Sequence, residues 1–319
     1  MQITLFTPEG LQTFSPPDFE QFLKSNTQVV WIDITDPTPE AMKMVGEVFN
    51  FHPLAIEDTC NQQQRPKVEE YSDHLFMIVN ALTMKDKEIE FQEIDLFLGQ
   101  RYIVTAHFDG EALLNDVRNR LKREGIFKHV SPDYLLYVIF DTVVDRYFPA
   151  LDVIADEIDQ MYERIFMQPD QKTLERLFQL RRILNEMMRV VVQHREIGIS
   201  INRREQDLIN HDVLKYYLRD VYDHLLWILE TSHSLQQNLN TIVDMYMSGT
   251  SNRLNRVVNR LTIVTIMSGL LSVIVGFYGM NFERTWPPFN ADWGVPFVVS
   301  LMIVLAVGVV VFVRRNKML

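Results

Sequence analysis

Residues 261–280 read LTIVTIMSGLLSVIVGFYGM, twenty residues without a charge, which is about the length a helix needs to cross the hydrocarbon of a bilayer. A second uncharged run, VPFVVSLMIVLAVGVVVFV at residues 295–313, follows after a short loop and is closed by Arg314, Arg315 and Lys317. Two such runs side by side are seldom found in a water-soluble core, so both are predicted to span a membrane. Arg253, Arg256 and Arg260 precede the first run, and the connecting loop holds only Arg284 with Glu283 and Asp292. Basic residues concentrate on the cytoplasmic side of spanning segments. Both termini are therefore expected in the cytoplasm and the loop outside, in a multi-pass protein of the plasma or inner membrane.

Working back from the spans, the charge changes sign. The chain carries a net charge of −11, yet from Ser251 onward seven Lys or Arg stand against two acids, which leaves −16 on the first 250 residues. A surplus of carboxylates excludes a nucleic-acid surface, where basic side chains must replace counterions; cationic partners suit it. The single cysteine, Cys60, allows no internal disulfide, in keeping with a reducing compartment. The segment MQITLFTPEGLQ has no basic stretch followed by an apolar one, so no cleavable secretory signal is expected. No Gly-rich phosphate loop, nucleophile elbow or paired-His metal motif is present, so an enzyme and an organic cofactor are not expected.

The soluble part divides by pattern into an α+β chain. Over residues 1–130, short β-rich runs (28–34, 74–82, 101–107) alternate with helical stretches such as 39–49, which predicts a small cytoplasmic α/β domain. Over residues 131–211 the pattern becomes long antiparallel helices with 3.6-residue periodicity at 133–166 and 170–204, with turns at Pro169 and Asp170 and in a polar stretch before Asp212. Residues 212–260 form a stalk without proline. Run on into the first span (261–280), it makes a rod of about 100 Å at 1.5 Å per residue. A loop (281–294), the second span (295–313) and a basic tail (314–319) complete the chain. Two spans per chain cannot enclose a pore, so conduction requires several copies. Leu225, Leu229, Leu235, Leu239, Ile242 and Leu254 on the stalk are apolar positions available for contacts between them.

In the first span Thr262, Thr265, Gly269, Ser272, Gly276 and Gly279 recur at steps of 3, 4, 3, 4 and 3, which puts them on one helix face. Extended toward the stalk, that face takes in Val258 and Asp244. The second span offers only Ser300. The stripe fits a pore lining; it also fits close approach of packed helices, which small residues permit. Asn281, just past Gly279 and Met280, fits a ring of neutral oxygens for a hydrated Mg²⁺, which releases its waters reluctantly, and equally an ordinary helix C-cap. Asp152, Asp156, Asp159 and Glu163 share a face of one helix, which fits a field that concentrates cations and, as the plainer reading, a solvated surface. His52, His74, His107 and His224 lie far apart and read as structural.

YGMN at residues 278–281, followed by Phe282 and Glu283, resembles the CorA family signature. HPLAIED (52–58), QRPKVEEY (64–71), DYLLYVIFD (133–141), LRDVYDH (218–224) and SNRLNRVVNRLT (251–262) are similar to that family's blocks in the same order. The resemblance implies a funnel-shaped homopentamer that admits Mg²⁺, and Co²⁺ or Ni²⁺ with it, down the electrochemical gradient. It implies a selectivity mouth at Gly279, Met280 and Asn281. The pore is then lined by Asp244, Val258, Leu261, Thr262, Thr265, Gly269, Ser272 and Gly276, with its hydrophobic constriction at Val258 and Leu261. It further implies a regulatory Mg²⁺ held between subunits by Asp58 of one and Asp220 of the next, with Glu57 beside them. Two departures bear on ion preference. RTWPPFNADW replaces the family's Met-Pro-Glu-Leu loop, and Val258 and Gly269 stand where bulkier Met is expected. A zinc carrier of the related ZntB type, coupled to protons, and a membrane-anchored sensor that conducts nothing are the rival readings.

Overall fold

The computed structural model describes residues 2–7, 10–14, 29–61, 64–85, 88–108, 111–125, 130–167, 171–203, 211–280, 286–288 and 292–315. Asn281, Phe282, Glu283 and Arg284, the turn at Pro169 and Asp170, and Lys317 lie outside them. The described residues form two compact units, one comprising residues 1–162 and 171–240, the other residues 163–170 and 241–319.

In the first unit seven strands make one sheet in the order β2-β1-β3-β7-β6-β5-β4. The strands are β1 (Gln2–Thr7), β2 (Gly10–Phe14), β3 (Val30–Thr35), β4 (Lys67–Glu70), β5 (Leu75–Lys85), β6 (Glu88–Leu98) and β7 (Tyr102–His107). Only β3 and β7 pair in parallel, Val30 against Tyr102 through Thr35 against His107; the other neighbours are antiparallel. One face is covered by α1 (Pro39–Phe49) and α2 (Pro53–Cys60), whose Met42, Val45, Phe49 and Ala55 join Ile32, Phe76, Phe97 and Val104 in a buried cluster. The sheet also packs on α4 (Pro132–Asp145), beside which lies α3 (Glu111–Glu124).

Local sequence sets the helix starts. Thr38, His52 and Ser131 each precede a proline, and each accepts a backbone N–H of the first turn. A side-chain acceptor before a proline whose missing N–H costs nothing there is a strong start signal. Cys60, at the end of α2, is a free half-buried cysteine.

The expected single helix over 133–166 is two, α4 and α5 (Tyr147–Met167). Pro149 provides the reason: lacking an N–H, it is tolerated in a first helical turn but not in a helix interior. Beyond it, α6 (Gln171–Arg203) and α7 (His211–Tyr278) are long. Buried residues recur at steps of 3 and 4 on all three helices: Leu151, Ile154, Ile158 and Met161; Leu177, Leu180, Leu184, Met187 and Val191; Leu214, Leu218, Val221, Leu225, Ile228, Ser232, Leu235 and Leu239. Such stripes interlock as seams between helices, and each buried Leu or Ile contributes about 1.5–3 kcal/mol. Arg176 clamps Glu157 through two bonds of 2.6 and 2.9 Å, tying α6 to α5, and Gln236 donates to Asn185, tying α7 to α6. This corrects one expectation: Leu225, Leu229, Leu235, Leu239 and Ile242 are buried within the chain. Of the stalk positions set aside for contacts between copies, only Leu254 remains exposed.

Two buried polar knots join the layers of the first unit. Asp33 on β3 accepts from the Thr105 hydroxyl at 2.6 Å and from Arg118 of α3 at 2.5 Å, and lies 3.2 Å from His107. Burial alone would raise its carboxyl, but His107, Thr105 and Arg118 together hold it below the usual range. In the second knot, the backbone N–H of Asn80 in β5 donates to His194 of α6, and its carbonyl accepts from Tyr147 of α5. Complete burial pushes His194 down to about 3. It is neutral at ordinary pH.

Asp33→Asn leaves the Arg118 charge buried without a counter-ion, so chemical denaturation should show a loss of about 3–5 kcal/mol, as for other broken buried pairs. For His194 the folded pKa lies below the unfolded value of about 6.5, so the unfolded chain binds the extra proton. The stabilisation is complete above that value and lost as pH falls toward the folded pKa. Melting temperature should fall on acidification from pH 7 to about 5, and His194→Gln should flatten that slope.

Candidate functional site

In the second unit, α7 runs without interruption to Tyr278, and α8 (Gly294–Arg315) follows. Both helices are long and apolar enough to cross a membrane, and the most apolar window of each is unburied in the single chain. Their environment has to come from lipid or from other copies.

The burial of the first span is not uniform. Ile263, Met267, Leu271, Ile274 and Tyr278 are half-buried, whereas Thr262, Thr265, Gly269, Ser272, Gly276 and Gly279 are exposed. At 100° per residue the centres of the two stripes lie about 170° apart. The chain therefore covers one side of the helix and leaves the small, hydroxylated side open. Val258, Leu261 and Asp244 are exposed too. The Thr262 hydroxyl donates to the Val258 carbonyl and the Thr265 hydroxyl to that of Leu261, both at 2.9 Å. With their protons committed to the helix, these oxygens present lone pairs outward. A Cβ built at Gly269 or Gly276 meets nothing within 4 Å, so no contact inside the chain demands glycine there. At the helix end the Gly279 N–H donates to Val275 at 2.8 Å, and the Tyr278 hydroxyl donates to the Trp286 carbonyl.

The acids expected to hold a regulatory ion fall into two groups, each with its own neighbours, that no described ion pair or hydrogen bond joins. In the first, Asp58 on α2 is not a bare carboxylate: Lys67 of β4 approaches it to 2.6 Å and also holds Glu69 at 2.7 Å. Burial works against the Lys67 charge, but its bonds to Asp58 and Glu69 outweigh that and keep the ammonium above the usual lysine range. Glu57 is exposed beside them. Behind them Asp95 is buried, and desolvation, with Glu93 nearby, pushes its carboxyl well up.

In the second group, Asp141 and Asp145, one turn apart on α4, face Asp220 and His224, one turn apart on α7. His224 Nδ1 lies 4.0 Å from Asp141 and 3.9 Å from Asp145, and its Nε2 lies 4.0 Å from Asp220. One ligand atom from each of Asp141, Asp145 and His224 can be chosen so that all lie within 4.8 Å of one another. Asp141 is buried, and Arg120 takes one of its oxygens at 2.6 Å; its Oδ1 and the His224 Nδ1 are buried without a hydrogen-bond partner. Burial and the neighbouring Asp141 raise the Asp145 carboxyl. Orphaned lone pairs among carboxylates of one sign fit a cation: the oxygens suit Mg²⁺, and the imidazole is accepted by Co²⁺, Ni²⁺ and Zn²⁺. Sequence reading found Asp220, took His224 as structural and passed over Asp141 and Asp145. The i, i+4 spacing of an Asp pair and an Asp–His pair was the available signal, and only the packing of α4 on α7 brings them together. Asp152, Asp156, Asp159 and Glu163 are exposed on α5.

A polar domain followed by two apolar helices, the first with one open polar stripe, defines a two-span membrane protein. The chain belongs to the CorA-like Mg²⁺ transporter family, whose pattern it matches over residues 26–315. It is 33% identical to the cobalt/magnesium transport protein CorA of Thermotoga maritima, across 100% of this chain and 92% of that one. The CorA magnesium transporter of Methanocaldococcus jannaschii superposes with a TM-score of 0.86 at 20% identity, covering 99% of this chain and 98% of the other. The cytoplasmic domain of ZntB from Vibrio parahaemolyticus superposes with a TM-score of 0.63 at 14% identity over 79% of this chain and 98% of its own; that likeness concerns the fold alone.

With no in-chain reason for glycine at 269 and 276, Gly276→Leu should leave the secondary structure and melting temperature of the purified protein within error of wild type. The same change should reduce cation flux in vesicles by about tenfold or more by narrowing any conduit the stripe lines.

Proposed function

We propose that copies of this chain assemble around an axis, five of them by the family resemblance, with the α7 stripe facing inward, to form a channel for Mg²⁺ and Co²⁺. The carrying observation is the open stripe: its acceptor oxygens lie on the side of the helix the chain leaves uncovered. A hydrated divalent ion presents outward-pointing water hydrogens, and oxygens whose own protons are bonded elsewhere accept them without stripping the shell. Gly279, Met280 and Asn281 form the mouth, Val258 and Leu261 the constriction, and Asp244 an acidic ring toward the cytoplasm, where both termini lie. For a divalent ion the membrane potential contributes about 4.6 kcal/mol per 100 mV, which drives entry without a nucleotide.

Regulation follows from the two acidic groups. Asp58, with Glu57, belongs to one half-site, and Asp220 to the other, where Asp141, Asp145 and His224 supply further donors. Set face to face in adjacent copies, such carboxylates repel until a cation lies between them. Bound Mg²⁺ supplies the positive charge that holds neighbouring copies together; its loss loosens the ring.

Proteoliposomes carrying a Mg²⁺-sensitive dye test the reading. Uptake should require Asn281, be lost in Asn281→Ala, and be indifferent to a pH gradient. Proton-dependent Zn²⁺ entry without Mg²⁺ entry would instead establish a carrier, and absence of flux from folded oligomer a sensor. His224→Ala should weaken Co²⁺ binding in calorimetric titration by about tenfold, and Mg²⁺ binding by less, because an imidazole matters more to the softer ion.

A further inference from the structure

We propose that Lys67 is an internal rival of the regulatory cation. Its ammonium neutralises Asp58 whenever no divalent ion does, and it thereby sets the ion concentration at which the site fills; this rests on the reading of Asp58 as half of that site.

Lys67 is not a loose surface lysine. It begins β4, an edge strand paired only with β5, opposite Ile78. Its Nζ lies between the Asp58 and Glu69 carboxylates, at 2.6 and 2.7 Å, and 5.7 Å from the centre of the Phe76 ring. Glu69 is fixed in turn. Its other oxygen accepts from the Tyr71 hydroxyl at 2.9 Å, and the Tyr71 ring stacks on His52 and His74 with centroids 4.8 and 4.9 Å away. Lys67 and Glu69 are two residues apart, so both point to one face of the strand. The lysine thus has two seats: shared between the two acids, or on Glu69 alone.

The side chains of Lys67 and Asp58 are 32% and 25% exposed, so a hydrated ion can reach the carboxylate. The ammonium holds Oδ2 of Asp58, and a divalent ion on either oxygen of that carboxylate would sit close beside it, where the repulsion between the two cations is large even near a protein surface. When the ion arrives, the lysine retreats to Glu69, which keeps its charge compensated. The site then responds to a difference between two cations instead of to the bare affinity of a carboxylate, and the threshold is raised to a level the lysine dictates.

This arrangement gives two substitutions opposite effects. Lys67→Met removes the rival. Glu69→Gln removes the second seat, leaving the lysine on Asp58, and also removes a nearby negative charge. The measurement is the melting temperature of the full-length protein in detergent, titrated with MgCl₂ in a chelator-buffered series. The Mg²⁺-free melting temperature serves as the folding control. The half-saturating Mg²⁺ concentration should fall by about tenfold in Lys67→Met and rise by about threefold in Glu69→Gln, allowing for screening of partly exposed charges.

An unchanged or raised midpoint in Lys67→Met overturns the proposal, as does a lowered one in Glu69→Gln. Asp58→Asn separates the two levels of inference. If it abolishes or strongly weakens the Mg²⁺ response while Lys67→Met does not move it, Asp58 is a ligand and Lys67 merely structural. If Asp58→Asn leaves the response intact, the underlying reading of Asp58 fails and the role of Lys67 falls with it. In the Asp58→Asn background the effect of Lys67→Met should vanish.

Discussion

An α-helix satisfies its backbone within itself, and this is what allows α7 to pass from packed leucines to full exposure without a break. No other regular element could make that passage. A strand would carry unpaired N–H and C=O groups into the apolar segment, and a loop would do the same. The 68 residues of α7 change their side-chain code along the way, from a heptad of buried Leu, Val and Ile to a stretch that is apolar on most sides and small or hydroxylated on one. Backbone continuity lets one element carry both the contacts of the soluble domain and the stripe proposed to meet the ion.

The second theme is charge that the chain leaves partly uncompensated. Asp33 is a buried carboxylate with partners on both oxygens: Thr105, Arg118 and His107 surround it. Around Asp141 satisfaction stops halfway, with Arg120 on one oxygen and an orphaned atom on the other. Around Asp58 it depends on a lysine shared with a second acid. The difference between a finished knot and two unfinished ones is what the proposed regulatory cation would complete.

How much of this could be read in advance depended on whether a pattern was local. The spans, the stripe on α7, the helix at Pro39–Phe49 and the strands around Val30, Leu75 and Tyr102 are local, and periodicity revealed them. The sheet order was not, because β6 and the short β4 owe their pairing to partners elsewhere in sequence. The burial of Leu225 to Leu239 misled for a related reason: an apolar seam announces that it is covered, but not whether by the same chain or another. The cluster of Asp141, Asp145 and His224 required α4 and α7 to be adjacent, and one sequence holds no sign of that adjacency. Nothing in the sequence singled out Lys67; its distances to Asp58 and Glu69 do.

The solitary cysteine has a practical bearing. Burial, with Asp95 and Glu40 nearby, raises the Cys60 thiol, so little of it is thiolate at neutral pH and alkylating reagents meet a poor nucleophile. The native chain is thereby close to a ready-made blank for spectroscopic labelling. A cysteine introduced at an exposed stripe position such as Ser272 would react against a quiet background, and a spin label there would report distances between copies in the proposed assembly without first stripping the protein of its own thiol.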